Sequence, residues 1–78
     1  MKTRNRDISE GFTFFIGDKE AEVIFDFELH DPDMKFVRVR FKDEKSSGIQ
    51  MTKEDIINDL DSKGLYVIKN TIHTKNKL

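Results

Sequence analysis

The chain has 78 residues, no cysteine, and a formal net charge of −1 from 14 basic and 15 acidic side chains. That length makes one domain with a thin core, because a chain this short buries only about 60% of its unfolded surface. The missing cysteine excludes a disulfide framework, a thiolate zinc site and a cysteine nucleophile, and the balanced charge lacks the basic excess of a sequence-independent nucleic-acid binder.

Hydrophobic residues make up 36% of the chain and seven of its residues are Phe, which marks a globular protein rather than a disordered one. No apolar run approaches the ~20 residues that cross a bilayer, so no membrane association is expected. The first ten residues, MKTRNRDISE, are polar and cluster Lys2, Arg4 and Arg6. They lack the apolar segment of a signal peptide and are expected to form a flexible basic leader. A sharper reading makes them an arm that touches nucleic acid. The expected location is the cytoplasm.

Phe12, Phe14 and Ile16 alternate with Thr13 and Phe15, which is strand period. Gly17-Asp18-Lys19-Glu20 supplies a turn. A second alternation puts Val23, Phe25, Phe27 and Leu29 on one face and Glu22, Ile24, Asp26, Glu28 and His30 on the other. An even loop then pairs Ile16 with Ala21, Phe14 with Val23 and Phe12 with Phe25, all apolar. Asp31-Pro32-Asp33 breaks the run, since Pro cannot donate to a ladder. The third strand covers Lys35 to Lys42 with Val37, Val39 and Phe41 inward. For Phe27 to meet Val37 or Val39, the connection must be odd and bulged. Asp26 and Glu28 would then oppose Arg38 and Arg40 on the outer face.

Asp43 to Gly48 reads as a loop. A helix over 53–63 follows, capped by Thr52, with Ile56, Ile57 and Leu60 on its apolar face and Gly64 ending it. Leu65 to Lys69 reads as a last strand whose edge position the sequence leaves open; pairing parallel beside the first strand would give the order 4-1-2-3. Residues 70–78 are expected to form a flexible polar tail. The expected fold is α+β: an antiparallel meander of three strands, one helix packed on one sheet face, and a final strand (β-β-β-α-β), all within a single domain over 11–69.

Little in the chain suggests catalysis. The serines lack a Gly-x-Ser-x-Gly elbow, and neither His30 nor His73 has neighbours that suggest a triad. The reading is therefore of a non-enzyme with no catalytic residues. His30-Asp31-Pro32-Asp33 could hold a cation, but these residue types also make a surface turn, so no metal site and no cofactor are expected. The four glycines stand apart and build no phosphate-binding loop.

Two surfaces could bind. Arg38, Arg40 and Lys42, with Phe36 on the same face as the arginines, could form a small nucleic-acid-binding strand. Against this, KFVRVRFK lacks the glycine-containing ribonucleoprotein signature, and Asp26 and Glu28 would repel phosphate. Seven carboxylates lie within the 16 residues from Asp18 to Asp33, but the net charge is too small to favour a nucleic-acid mimic. The second surface is apolar. With one helix available only one sheet face is covered, leaving Phe15, Ile24 and Phe36 outside, joined by Tyr66; such a patch marks an interface. The expected function is a small protein-binding module, a regulator or inhibitor acting on another protein or on a second copy of itself. Its brevity and Lys/Ile/Asn-rich composition fit accessory proteins of phages or mobile elements.

Overall fold

A computed structural model describes residues 2–45 and 47–75. Its elements run β1 (Thr13–Ile16), β2 (Lys19–Asp26), β3 (Phe36–Phe41), β4 (Ile49–Thr52), α1 (Lys53–Ser62), β5 (Leu65–Ile68) and β6 (Thr71–Thr74). Short 3-10 turns occupy Asn5–Asp7 and Phe27–Leu29. The fold is α+β, as expected. Its main sheet is a four-stranded antiparallel meander, β1-β2-β3-β4, and β5 and β6 form a separate two-stranded sheet.

The first hairpin closes more tightly than expected. Ile16 pairs with Lys19 and Phe14 with Ala21, leaving a two-residue turn of Gly17 and Asp18. Gly17 has φ +65°, which glycine adopts without penalty at the first central turn position. The register thus slips by two residues from the expected one. A two-residue slip preserves the face of every side chain, so Phe12, Phe14, Ala21 and Val23 still lie in the core.

The second strand departs further. Val23 pairs with Val39, but Phe25 pairs with Arg38 and Asp26 with Val37, because Ile24 is an extra residue in the strand. The irregularity therefore sits inside β2 and not in the Asp31-Pro32-Asp33 connection. Past Ile24 the faces exchange: Asp26 is buried and Phe25 is exposed. The strand then stops, and Phe27 and Leu29 lie on a 3-10 turn instead of a continuing inward face. The expected pairing of Asp26 and Glu28 with Arg38 and Arg40 is overturned; Arg38 faces Phe25 and Arg40 faces Glu22.

β4 was expected as loop, but its Met51 pairs with Val37 and its Ile49 with Val39. The helix begins where expected: the Thr52 side chain accepts from Asp55 N at 3.0 Å. The last strand does not join β1. Leu65–Ile68 pairs with Thr71–Thr74, a strand formed from the expected tail. Residues 76–78 of that tail, and Ser46 of the 43–48 loop, lie outside the described residues.

The segment expected as a leader is packed against this hairpin. Ile8 is fully buried. Thr3 Oγ1 accepts from Val67 N at 2.8 Å, and Asp7 O accepts from Asn70 N at 2.8 Å. Asn70 Oδ1 accepts from Ser9 N at 2.8 Å, while Asn70 Nδ2 donates to Ser9 Oγ at 2.9 Å. These bonds cover polar backbone that the hairpin would otherwise leave unpaired. The core is then a layer between the inner sheet face (Phe12, Phe14, Val23, Val37, Val39) and a cover of Ile8, Ile56, Leu60 and Val67. The molecule is flat, with extents of 41 × 30 × 16 Å.

Two substitutions test this packing. Ile8→Ala should lower stability by about 2–5 kcal/mol in urea unfolding, as for other buried aliphatic truncations; a flexible leader would give no change. At Gly48, φ is +93° and an added Cβ would lie 2.6 Å from the Val39 carbonyl oxygen. Gly48→Ala should therefore destabilise by about 1–3 kcal/mol.

Candidate functional site

The turned end of β2 creates two polar or apolar groupings, one buried and one exposed. The buried grouping centres on Lys53, the first residue of α1, whose side chain is 2% exposed. Its ammonium lies 3.2 Å from Asp26 Oδ2 and 2.9 Å from Glu28 Oε1. It also donates to Asn5 O at 3.0 Å. Asp26 Oδ1 accepts from Glu28 N at 3.1 Å, and Glu28 Oε2 reaches Lys35 at 3.3 Å. The bulge sends Asp26 inward, and Lys53 is there to neutralise it. A buried carboxylate without such a partner would be costly.

This arrangement holds the fold and offers no reaction site. The Lys53 ammonium is already engaged by two carboxylates and a carbonyl, and it is closed to solvent. The Glu28 carboxyl is held below its ordinary range chiefly by its bond to the Lys53 ammonium, against the opposing effect of burial. The network therefore ties the helix start, the β2 end and the Asn5–Asp7 turn together.

The exposed grouping lies on the uncovered face of the main sheet. The Phe25 ring stacks on His30 with centroids 5.1 Å apart and a 4° interplanar angle. The same ring meets Phe27 edge-on at 4.8 Å, and Phe27 meets Phe36 at 5.2 Å. The result is a continuous run His30–Phe25–Phe27–Phe36. Phe25 is 36% exposed and the neighbouring Leu29 is 69% exposed. Arg38 sits beside Phe25 as its cross-strand partner. Phe36 also lines a cleft of about 500 Å³ with Lys35, Thr52 and Ile57 among its walls.

The residues expected to form the apolar interface are distributed over this surface rather than gathered. Ile24 and Phe36 lie near Arg38, both half-buried. Phe15 is 52% exposed but pairs with Glu20 by the first turn, four strand residues and ~13 Å from Ile24. Tyr66 stands on the separate hairpin, stacked on His73 at 5.2 Å. Among the basic residues, Arg38 and Arg40 share the outer face, whereas Lys42 lies beyond β3 and pairs with Glu20 at 3.5 Å. Among the described residues, neither Arg38 nor Arg40 has a carboxylate at ion-pair distance.

Phe25, Phe27 and Leu29 did not emerge from the sequence as surface residues, whereas His30 did. Their alternation placed all three in the core; the extra residue at Ile24 turns Phe25 outward, and the 3-10 turn that ends the strand takes Phe27 and Leu29 off the inner face. Asp31 Oδ1 caps Asp33 N at 3.1 Å, as in a turn. Among the described residues no group of three His, Cys, Asp or Glu side chains is placed to hold a metal ion. No helix among them is long and apolar enough to cross a membrane.

No family model, no curated protein and no solved structure matches the chain. The functional reading therefore rests on the geometry of the surface itself.

The buried network is open to a direct test. Lys53→Met strands two carboxylates and should destabilise by about 3–5 kcal/mol. The pH dependence follows from Glu28. Its pKa is lowered on folding, so its contribution is present above the ordinary value of 4.5 and is lost as pH falls through the lower folded value. Urea midpoints followed from neutral pH into acid should fall below about pH 4.5 in the parent protein, with a shallower fall in Lys53→Met.

Proposed function

We propose that the protein is a non-enzymatic binding module that regulates or inhibits another protein through the aromatic end of its outer sheet face. The observation that carries this reading is the His30–Phe25–Phe27–Phe36 run with exposed Leu29 beside it. Aromatic side chains in a contiguous exposed patch supply large contact area at low entropic cost, and interfaces are enriched in them. The cleft beside Phe36 offers a seat for one anchoring side chain of the partner. Arg38 borders the patch without a carboxylate at ion-pair distance among the described residues, so the fitting partner presents apolar side chains with a carboxylate placed to meet it. Of the four apolar candidates read from the sequence, Ile24 and Phe36 belong to this surface; Phe15 and Tyr66 lie outside it. A phage or mobile-element accessory protein acting in the cytoplasm remains the setting that the small size and composition suit.

A second reading is supported by one specific feature. The carboxylate expected to repel phosphate beside Arg38 is turned inward and neutralised by Lys53. Arg38 and Arg40 then stand beside Phe25 and Phe36 on one exposed face, as base-stacking surfaces require. Glu22 opposite Arg40 and the pairing of Lys42 with Glu20 weaken this reading at the other end of the strand.

Phe25→Glu separates these readings from a purely structural role. The variant should stay folded with a thermal midpoint lowered only modestly, because Phe25 is outside the core and loses only its contacts with Phe27 and His30. In comparative capture from host lysate treated with nuclease, the parent protein should retain one stoichiometric protein and Phe25→Glu should lose it. Identical captures by the two proteins would refute the protein-binding reading. Capture that vanishes on nuclease treatment would transfer the assignment to nucleic acid. A second copy as the occupant would appear as a dimer in sedimentation that Phe25→Glu converts to monomer.

A further inference from the structure

Of the basic residues near the N-terminus, Arg4 and Arg6 take no part in the aromatic surface or the cleft beside Phe36; Lys2 lines that cleft too. Arg4 and Arg6 lie in the opposite layer, where the N-terminal segment packs on the β5–β6 hairpin. There Lys2, Arg4, Arg6 and Lys69 line an open cleft of about 640 Å³, together with Asp7 and Ile68. The volume is in the range of small-molecule sites. Four cations face one carboxylate across this cleft, in a chain whose net charge is −1. The positive charge is thus concentrated locally, against the balance of the whole molecule.

The single carboxylate is committed to the backbone. Asp7 Oδ2 accepts from Arg4 N at 2.9 Å and Asp7 Oδ1 accepts from Lys69 N at 3.1 Å. The first bond closes the N-terminal turn; the second, with the Asn70 N bond to Asp7 O, ties that turn to the hairpin turn and so brings Arg4 and Arg6 beside Lys69. Among the described residues, none of the four cationic side chains has a carboxylate at ion-pair distance.

The second observation is the geometry of the hairpin turn. The β5–β6 turn has Lys69 at φ +47° and Asn70 at φ +65°. Asn is at ease there; Lys is less so, because its Cβ crowds the following carbonyl. Glycine at 69 would satisfy the turn without that crowding. The Lys69 side chain forms no ion pair within the described chain that offsets it. The two-residue turn between Ile68 and Thr71 requires positive φ at both positions, and Asp7 holds the Lys69 and Asn70 N–H groups, so the turn keeps Lys69 fixed at the wall of the cleft.

We infer that this cleft binds a compact polyphosphate ligand, of the size of a nucleoside di- or triphosphate, with Arg4, Arg6, Lys2 and Lys69 on the phosphates. Guanidinium groups match phosphate oxygens in bidentate geometry, and lysines add point charge. Ile68 gives the cleft an apolar wall for the remainder of the ligand. A long nucleic-acid strand fits less well, since the cations converge on one cleft and do not track a groove. Lys2 also lines the cleft beside Phe36, whereas Arg4, Arg6 and Lys69 do not, so variants at Arg4 and Lys69 test this inference apart from the aromatic face.

The test is a calorimetric titration of the full chain with tripolyphosphate and with ATP, at constant ionic strength. Saturable one-to-one binding of either is expected, and tighter binding of ATP than of tripolyphosphate would show that the apolar wall contributes. The double variant Arg4→Gln/Lys69→Gln should bind at least about tenfold more weakly, roughly 1.4 kcal/mol. Its thermal midpoint should be retained or raised after removal of like charges. Arg38→Gln, on the other face, should bind as the parent does. Absence of saturable heat, unchanged binding in the double variant, or binding of a single-stranded oligonucleotide alone would each overturn the inference.

Discussion

Ile24 adds one residue to β2 opposite β3, and much of the molecule follows from it. Side chains alternate along a strand with a period of two, so a single insertion exchanges the faces of everything beyond it. Before Ile24, Val23 meets Val39 in the core; after it, Asp26 occupies the inner face and Phe25 the outer. The inward carboxylate then requires a buried cation, and Lys53 at the start of α1 supplies it. The outward aromatic ring begins the run that reaches Phe36.

The two consequences are linked through energetics. A buried ion pair contributes little net stability compared with an apolar pair, yet losing either partner is severe. The pair thus acts mainly as a constraint on geometry. It holds the β2 end, the helix start and the Asn5–Asp7 turn in one arrangement, and Asn5 O is its third ligand. With the β2 end held, the Phe27–Leu29 turn presents Leu29 and the Phe25–His30 stack at the surface. A chain of this size has few apolar residues to spare. Placing three phenylalanines on or near one uncovered face therefore argues for a surface built to be covered by something else.

Where local pattern alone decides structure, the sequence was legible. The alternation of β1 and β3, the Thr52 cap and the Ile56/Leu60 face of α1 all follow from periods and capping chemistry that single residues reveal. The bulge was not legible in place. The facing of Val37 and Val39 demanded an odd residue somewhere between the strands, but Asp31-Pro32-Asp33 offered the more obvious site, and nothing in VIFDF marks Ile24. β4 was hidden because IQMT is short and mostly exposed, and its pairing with β3 is decided by tertiary context. The N-terminal segment looked like a leader because its single buried aliphatic, Ile8, is surrounded by polar residues whose partners lie about sixty positions away. Of the candidate surface, Arg38, Ile24, Phe36 and His30 could be read in advance; Phe25 and Leu29 could not, since their exposure depends on the insertion at Ile24 and on the turn that ends the strand.

The exchange of faces at Ile24 is tested most directly by the ammonium resonance of Lys53 in a lysine-selective nitrogen–proton NMR spectrum. A solvent-exposed lysine ammonium exchanges its protons too fast to be seen at neutral pH and room temperature. The account predicts one protected ammonium signal that disappears in Lys53→Met, with cross-relaxation to protons of Asn5 or Asp26. A spectrum with no protected ammonium would mean that Asp26 is not turned inward and that β2 continues as an unbroken strand.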